Sequence, residues 1–495
     1  MSFVDKLEDE LNVSTTENGA LGYKTTKKEI VDFNFKVPSY RRKTEEDIVL
    51  DFKRVWNEDK ELAYKYLFYV RDVRGGLGER RLFRVILKSL AEYLDDSVFD
   101  YIMEYGRADD LFVFFDTELE SLLIKYIDKK LREDCINVLE NKPVSLLGKW
   151  LPSLNCSNSE RIGLAKRIVK GLEIDNSTYR KTLSRIRAYI DVVERKLCAN
   201  EWDKVKYESV PSNANLKYKD AFLRHDKQRR REYLESLSKG ETKINSSTLF
   251  PHEIVSKYRG CYSSVKNSKD TTLEELWKAL PNYVNGNSNI MVVRDGSGSM
   301  TVPINNSTTA LDVATALSIY FSERCEGQFK DKFITFSHNP QFVDLSKYTT
   351  LRDKLAHCYK FDDCSNTNIE ATFDLILKIA VKNNLKQEEI PNLLVISDME
   401  FDGCTYGINK KTLFKNIANK YRTYGYELPK LIFWNVNSRT NTIPLTENEN
   451  GVILVSGFST AITKMVLSEK LNPYEAIVEE LNSERYKNIK LKKEI

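Results

Sequence analysis

The sequence predicts a two-part protein, in which an all-α helical-repeat domain precedes an α/β domain with a doubly wound sheet. Through about residue 275, apolar residues recur every three or four positions, which is typical of amphipathic helices. Beyond that point, short β-branched apolar runs alternate with helical patterns, as in a parallel sheet covered by helices. The chain has 495 residues, which is too long for one core and favours several domains.

The first half of the chain contains the predicted helices. Residues 1–44 are polar and weakly periodic, and we interpret them as an N-terminal arm that is ordered late or by packing on the next domain. The helical domain is predicted to span residues 45–260. Its clearest helices are Ile48–Trp56, Glu61–Arg71, Glu79–Leu94, Val98–Tyr105, Glu118–Leu139 and Glu160–Leu172. Short breaks between consecutive helices favour antiparallel pairs stacked as an irregular solenoid, although we find no exact sequence repeat.

The second half is predicted to be the α/β domain, at residues 289–470. A polar linker with one helix, Thr272–Leu280, precedes it at 261–288, and a basic tail follows at 471–495. The predicted strands are 290–294, 332–336, 341–343, 392–397, 430–436 and 452–455. The predicted helices are Thr309–Arg324, Ile369–Val381, Lys411–Tyr421 and Ser459–Leu467. Alternation of this kind predicts a doubly wound sheet.

A possible cation site begins where the first of these strands ends. Asp295, Ser297 and Ser299 alternate with glycines, so that one carboxylate and two hydroxyls point to one side of a tight loop. Oxygen ligands in this pattern suit magnesium. A Gly/Ser/Asp cluster after a strand is more often a solvated turn, so these three residues alone do not decide the matter.

Two further oxygen-bearing residues strengthen the cation hypothesis. Asp398 follows the predicted strand 392–397 as Asp295 follows the first strand, and Thr367 lies at the entrance of the helix Ile369–Val381. Open α/β sheets gather ligand sites at the carboxyl ends of their strands. The sequence therefore predicts a divalent cation, magnesium or alternatively manganese, bound by Asp295, Ser297, Ser299, Thr367 and Asp398.

The helical half carries several local concentrations of positive charge. The densest run, 216–231, interleaves bases with Tyr218 and Phe222, just before Tyr233, and this composition is typical of surfaces that bind single-stranded RNA. The candidate RNA-binding residues are Arg74, Arg80, Arg81, Arg84, Arg180, Lys181, Arg185, Lys217, Lys219, Arg224, Lys227, Arg229, Arg230 and Arg231. Two alternatives stay open: the run is a solvated helix face, and the Gly-rich turn at 71–84 is an ordinary helix connection.

The pattern of Asp295, Ser297, Ser299, Thr367 and Asp398 resembles the metal-ion-dependent adhesion site of von Willebrand factor A domains. With the helical half and the segment Leu249–Val255, the chain resembles the Ro ribonucleoprotein autoantigen family over about residues 45–470. The resemblance implies a HEAT-like helical module, called TROVE, that binds small structured or misfolded RNA and single-stranded ends. It also implies a cation to which a partner adds a carboxylate. Arg294, before Asp295, departs from the family pattern, and like-charge repulsion is expected to lower cation affinity. Thr367, in Ser-Asn-Thr rather than after paired glycines, is a second departure.

The composition also limits the class of protein and its cellular compartment. Hydrophobic residues make up 41% of the chain, and Lys+Arg 76 against Asp+Glu 72 gives a net charge of only +4, so a basic surface must be local. Eight cysteines without a Cys-x-x-Cys pair indicate free thiols in a reducing compartment. We find neither a signal peptide nor a membrane-length apolar run, and expect a cytoplasmic protein without a membrane partner.

No nucleophile and base form an assembled catalytic set, because none of the four histidines lies in a motif and Ser297 and Ser299 are explained as cation ligands. We therefore expect a non-enzymatic protein. An RNA-binding function is favoured. The alternative is a cation-dependent protein interaction scaffold, and a metal-dependent hydrolase ranks third.

Overall fold

The structure, a computed structural model, describes residue 7 and residues 11–260, 265–266, 268–284, 289–305, 308–362, 364–403 and 412–492. The chain forms two compact units. The sheet unit comprises Met1–Asp59 and Asn245–Tyr486, and the helical unit comprises Lys60–Ile244 and Lys487–Ile495. The predicted helical half and the predicted α/β half are both present, although their boundaries differ from those expected.

The sheet unit is built on six strands. They are β1 (Ile290–Asp295), β2 (Lys332–Phe336), β3 (Gln341–Asp344), β4 (Asn392–Ser397), β5 (Leu431–Asn435) and β6 (Val452–Ser456). Their order across the sheet is β6-β5-β4-β1-β2-β3, with every neighbouring pair parallel except the antiparallel β2 and β3. Every residue of β1, β5 and β6 is buried, which explains why these strands are continuous apolar runs. The predicted α/β sheet is therefore present, with six strands of which only the edge strand β3 is antiparallel.

Helices cover this sheet. Those of the sheet unit are Glu29–Phe35, Glu45–Glu58, Pro251–Tyr258, Thr271–Lys278, Ala310–Arg324, Leu351–Cys358, Ile369–Asn383, Leu413–Thr423, Thr463–Val466 and Pro473–Leu481. Two small antiparallel pairs join Ser14–Thr15 to Leu21–Gly22 and Pro303–Asn305 to Thr308–Thr309. The central helix, Ala310–Arg324, starts at a capping box of Thr309 and Asp312 and packs against β1. Lys411, the predicted first residue of the helix now at Leu413–Thr423, lies outside the described residues.

The helical unit contains ten α-helices among its described residues. They are Lys60–Arg71, Arg80–Ser89, Ser97–Tyr105, Glu120–Leu139, Leu147–Trp150, Ser159–Gly171, Asn176–Tyr189, Val193–Cys198, Ser212–His225 and Lys227–Ser238. Pairs that are close in sequence, such as Lys60–Arg71 with Arg80–Ser89, pack on each other. The predicted succession of helices is confirmed, with helix ends displaced by a few residues.

The segment interpreted as an arm belongs to the sheet unit. Its helix Glu29–Phe35 buries Phe33 and Phe35, and packs on β6. The Asn435 amide donates to the Phe35 carbonyl at 2.7 Å. This segment is packed although most of its residues are polar. Four of its apolar residues are buried and together remove a substantial apolar area from water: Ile30, Val31, Phe33 and Phe35.

The predicted linker and tail also contribute to packed structure. In the linker, Glu274 is buried, accepting from the Tyr258 hydroxyl at 2.7 Å and from the Leu351 amide at 2.8 Å. The tail forms the helix Pro473–Leu481, and Ile489 beyond it is buried. The described parts of both segments are therefore packed. Residues 261–264, 267, 285–288 and 493–495 lie outside the described part of the chain.

Within the described part of the chain, no helix combines the length and the apolar character needed to cross a membrane. Four described cysteines, Cys135, Cys156, Cys198 and Cys358, are free thiols. Cys261 and Cys404 lie outside the described residues.

Candidate metal centre and basic helical surface

The predicted cation ligands lie at the carboxyl end of the sheet. Strands β1 and β4 are neighbours there, and chain order reverses between them, since β2 and β3 extend to one side and β5 and β6 to the other. Such a switch point leaves a crevice for a ligand. Arg294 is paired with Ile396, so Asp295 and Ser397 come next on the two adjacent strands.

Asp295 is fully buried and its two carboxylate oxygens are fixed by different hydrogen bonds. Oδ1 accepts from the Ser297 amide at 2.9 Å, and Oδ2 accepts from the Ser397 hydroxyl at 2.5 Å. The Ser297 and Ser299 hydroxyls are 3.1 Å apart. The loop after β1 thus brings Asp295, Ser297 and Ser299 together as predicted.

Backbone contacts fix this loop against its neighbours. The Gly296 amide donates to the Phe336 carbonyl at 2.8 Å, and the Gly298 amide donates to the Ser365 carbonyl at 3.0 Å. A Cβ at Gly298 would lie 2.8 Å from the Cys364 carbonyl oxygen, so this position needs a glycine. Ser365 lies two residues before Thr367. The hydrogen bond from Gly298 to Ser365 therefore holds the loop after β1 beside the loop that carries Thr367.

Asp398 is the second buried carboxylate. Burial raises its pKa to about 7, with a further contribution from the negative charge of Asp295, while Arg439 and Ser299 act in the opposite direction. Burial also raises the pKa of Asp295. Among the described residues, Asp398 Oδ2 has no hydrogen-bond partner, and the Arg439 guanidinium lies 3.6 Å from it.

These residues fit a hard divalent cation. Two buried carboxylates repel each other, and the unbonded Asp398 oxygen lacks the interaction that a buried polar atom needs. Three hydroxyls, of Ser297, Ser299 and Thr367, supply the neutral oxygens that magnesium accepts. In the described ranges, no group of three or more His, Cys, Asp or Glu side chains is placed to hold a metal.

Arg294 does not act on the site in the way that its sequence position indicated. Its side chain is fully buried, donates to the Thr315 hydroxyl at 2.8 Å and forms an ion pair with buried Asp362. Successive side chains of a strand point to opposite faces, so the arginine faces away from Asp295. The neighbouring carboxylate offsets its charge, which weakens the expected repulsion of a cation.

The basic run at 216–231 is divided between surface and core. Arg230 is fully buried, and its guanidinium carbon lies 4.9 Å from the ring centre of Tyr207, 5.2 Å from that of Phe222 and 5.3 Å from that of Tyr233. Arg230 is therefore a core residue and cannot contact RNA at the surface. Phe222 and Tyr233 are buried as well, so these rings do not provide the predicted stacking surface.

Three other candidate basic side chains form hydrogen bonds or ion pairs within the protein. Arg229 donates to the carbonyls of Trp202 and Val205 at 3.1 and 2.8 Å, so it closes a loop. Arg84 bonds to Asp110 at 2.5 Å, and Lys219 pairs with Asp220 at 2.7 Å. The remaining candidates are exposed: Arg74, Arg80, Arg81, Arg180, Lys181, Arg185, Lys217, Arg224, Lys227 and Arg231.

Comparison with known proteins gives similarity without an assigned function. Residues 289–494 match a family model described as Domain of unknown function (DUF7788), and residues 127–290 match Domain of unknown function (DUF2828). The chain is 29% identical to Uncharacterized protein L728 of Acanthamoeba polyphaga mimivirus over 511 residues, covering 94% of this chain and 87% of the relative. The two proteins thus share nearly their whole length.

A solved structure also matches most of the chain. The crystal structure of the Deinococcus radiodurans RO (RSR) protein covers 92% of this chain and 93% of its own, with a TM-score of 0.36 and 13% identity. A TM-score this low does not establish a shared fold, and the resemblance to the Ro family stays a prediction.

Sequence reasoning missed three residues at the rim of the site. Glu400 is buried and accepts from the Arg439 and Thr440 amides at 2.7 and 2.8 Å, which fixes the loop that carries Arg439. Asn18 donates to the Thr367 hydroxyl at 3.2 Å. Glu400 could have been suspected from its position two residues after Asp398. Asn18 and Arg439 carry no such signal, because they come from distant parts of the chain.

Proposed function

We propose that the protein is a non-catalytic binding protein whose sheet unit, of the von Willebrand factor A class, holds one divalent cation and docks an acidic group of a partner. Asp295, Ser297, Ser299, Thr367 and Asp398 hold the cation, directly or through water. Magnesium is preferred and manganese can replace it. The observation that carries the proposal is the buried pair of carboxylates, one with an unbonded oxygen, at the switch point of the sheet.

Chemistry at this site supports binding better than catalysis. Two carboxylates balance the formal charge of a divalent cation, and the cation can still accept a further hard oxygen ligand, which a carboxylate of a protein partner supplies. The Ser297 and Ser299 hydroxyls are accounted for as cation ligands, and none of the five residues is a histidine that could activate them as nucleophiles.

Calorimetric titration with Mn²⁺ tests the cation. The wild-type protein should bind one equivalent, and Asp295→Asn should abolish binding because the amide removes a charge without changing side-chain size. Asp344→Asn is the matched control, since Asp344 lies on the edge strand β3 away from the switch point. Undiminished binding by Asp295→Asn would place the metal elsewhere.

A second function, RNA binding, is favoured by the exposed bases of the helical unit, which we propose to be a HEAT-like, TROVE-type module. Lys217, Arg224, Lys227 and Arg231 remain exposed on the helices Ser212–His225 and Lys227–Ser238. Elsewhere in the unit, burial and the nearby guanidinium groups of Arg107 and Arg84 lower the pKa of Arg80. A phosphate would relieve this crowding of positive charge.

Salt dependence of RNA affinity tests this second function. Four phosphate contacts give a slope of about −3 to −4 in log affinity against log salt. Replacing Lys217, Arg224, Lys227 and Arg231 together by Glu should abolish that slope. The matched control reverses four exposed lysines of the same unit, Lys88, Lys125, Lys129 and Lys170, which changes net charge equally. Equal losses in both variants would reduce the effect to bulk charge.

We place the protein in a reducing intracellular compartment, a proposal supported by the free thiols of Cys135, Cys156, Cys198 and Cys358. Small structured or single-stranded RNA is the proposed nucleic-acid partner. Because Phe222 and Tyr233 are buried, we expect phosphate contacts rather than base stacking at the run 216–231.

A further inference from the structure

The N-terminal strap, which we define as residues 14–22, crosses the rim of the candidate metal centre. Its two short strands, Ser14–Thr15 and Leu21–Gly22, form a hairpin, and the residues between them reach the loop after β4. The Thr16 hydroxyl donates to the Phe401 carbonyl at 2.6 Å, and the Gly403 amide donates to the Asn18 carbonyl at 3.2 Å. The strap is therefore bonded along the loop that begins with Asp398.

Asn18 connects the strap to one of the five candidate ligands. Its amide nitrogen donates to the Thr367 hydroxyl oxygen at 3.2 Å and to the Glu400 carbonyl at 2.7 Å. The Thr367 oxygen is the atom that would face a cation. A side chain of the strap thus occupies the immediate surroundings of that oxygen.

Glu17 connects the strap to the other side of the site. Its carboxylate pairs with the Arg439 guanidinium at 2.5 Å, and the same guanidinium lies 3.6 Å from Asp398 Oδ2. The side chain of Glu17 is 56% exposed, whereas that of Asp398 is fully buried. An acidic side chain therefore already sits at the solvent-facing rim, beside a basic group and a candidate ligand.

We propose that the strap is an internal occupant of the docking position, which a carboxylate side chain of an acidic peptide takes by displacing Glu17 from Arg439 and Asn18 from Thr367. This inference rests on the proposed cation-docking function. Arg439 then becomes a second recognition group for the incoming acid, because a guanidinium binds a carboxylate through two parallel hydrogen bonds.

The contacts that the side chains of Glu17 and Asn18 make with Arg439 and Thr367 are of the kind that can be exchanged. An exposed ion pair such as Glu17 with Arg439 contributes little to stability, and the Asn18 bond to Thr367 is long. Glu400 is buried and accepts from the Arg439 and Thr440 amides, which fixes the loop that carries Arg439, and it also accepts from the Glu17 amide at 2.8 Å, which holds the backbone of the strap. The site would therefore remain assembled when the side chains of Glu17 and Asn18 are displaced.

The test compares the wild-type protein with the double variant Glu17→Gln, Asn18→Ala. Both are first titrated with Mn²⁺ alone, and then with a fluorescein-labelled hexaglutamate peptide in saturating Mn²⁺. If the strap is open in about one molecule in ten, removing its competition tightens peptide binding about tenfold. EDTA should abolish peptide binding in both proteins. Lys24→Gln, an exposed change just beyond the strap, is the control and should behave as wild type.

Each result decides between the two proposals. Mn²⁺ binding with equal peptide affinity in wild type and double variant overturns the role of the strap and leaves the cation site intact. Mn²⁺ binding without any peptide binding also overturns it, since an acidic occupant was required. Failure of all proteins to bind Mn²⁺ overturns the cation site itself and the inference with it.

Discussion

Two buried carboxylates placed together raise the free energy of the metal-free fold, and this cost is the clearest residue-scale sign of a ligand. The ordinary pKa of an aspartate is 3.8, and that of Asp398 is raised to about 7. The folded state therefore favours the protonated form. Stability decreases as pH rises from about 3.8 to about 7, and above that range the full cost of the ionised group is present.

Asp398→Asn should stabilise the metal-free protein at pH 8, because asparagine fits the same space without a charge. The gain is expected to be roughly 2–4 kcal/mol, which raises the melting temperature by several degrees. Calorimetry in EDTA measures it, and added Mn²⁺ should then stabilise only the wild-type protein. A variant that melts below wild type in EDTA would show that the Asp398 charge is already compensated within the fold.

Arg230 and Arg231 are neighbouring arginines that differ in burial, because the first lies in the core and the second at the surface. Arg230 donates to the Asn215 side chain at 3.2 Å within a ring of aromatic side chains, whereas Arg231 is exposed. The sequence contained this distinction, because position 230 shares the apolar spacing of Tyr233, Leu234 and Leu237. The density of basic residues predicts that the whole run is exposed, because it does not take into account the helix face on which each residue lies.

Arg230→Ala should therefore destabilise the helical unit, by about 2–4 kcal/mol, since it leaves a cavity and an unpaired amide oxygen. Arg231→Ala should change stability by less than about 0.5 kcal/mol and instead weaken RNA binding. Urea unfolding and RNA titration separate the two effects. Reversed effects of the two variants would mean that the arginines exchange places in solution.

At the scale of elements, the helix Pro251–Tyr258 shows how a local pattern determines a buried environment. Pro251 occupies the first turn, and Glu253 accepts from the Phe250 amide at 2.8 Å. His252 then points into the core, where its ring centre lies 5.0 Å from that of Phe458. Burial lowers the pKa of His252 to about 3, and the charge of Arg41 adds to the shift.

This histidine should make the sheet unit sensitive to acid. Below pH 6.5 the unfolded chain binds a proton that the folded protein refuses until about pH 3. Stability should thus fall by about 1.4 kcal/mol per pH unit as pH decreases through that window. His252→Gln should flatten this slope relative to wild type, while His338→Gln, at an exposed position, should not. Denaturant unfolding between pH 4 and pH 7 provides the comparison.

Elements with strong periodicity could be predicted, and those defined by tertiary contacts could not. Strands β1 and β4 were recognisable because burial on both faces makes them continuous apolar runs ending in an aspartate. Four of the five proposed cation ligands, Asp295, Ser297, Ser299 and Asp398, follow from those ends, and Thr367 precedes a helix. Asn18 and Arg439 could not be predicted as part of the site, because they are far apart in the sequence and only folding brings them to the rim of the candidate metal centre.

For the whole molecule, the division into units cuts across the order of the chain. The first 59 residues belong with the sheet, although residues 60–244 form the other unit. The family model for 289–494 omits this N-terminal contribution. Local patterning predicted both kinds of structure, but a discontinuous unit has no signature in composition.

A fragment of residues 245–486 should therefore fail to fold by itself. It lacks the backbone pairing of Tyr23 with Ile443, at 2.8 and 2.9 Å, and the helix Glu29–Phe35 that covers β6. Co-expression with residues 1–59 should restore a soluble, cooperatively unfolding species, measured by circular dichroism and gel filtration. A monomeric fragment 245–486 with a sharp melting transition would contradict the assigned unit.

The packing of the helix Glu29–Phe35 on β6 also determines when the sheet unit can fold during synthesis. Phe35 leaves the ribosome 400 residues before Asn435, the residue that bonds to its carbonyl. Throughout that interval the apolar face of Phe33 and Phe35 has no sheet to pack on, and exposed apolar surface of this kind promotes aggregation of nascent chains. The sheet unit can close only after nearly the whole chain has been translated, whereas residues 60–244 are complete much earlier. We therefore expect chaperones to bind the first 59 residues during translation, which ribosome profiling of chaperone-bound nascent chains would measure.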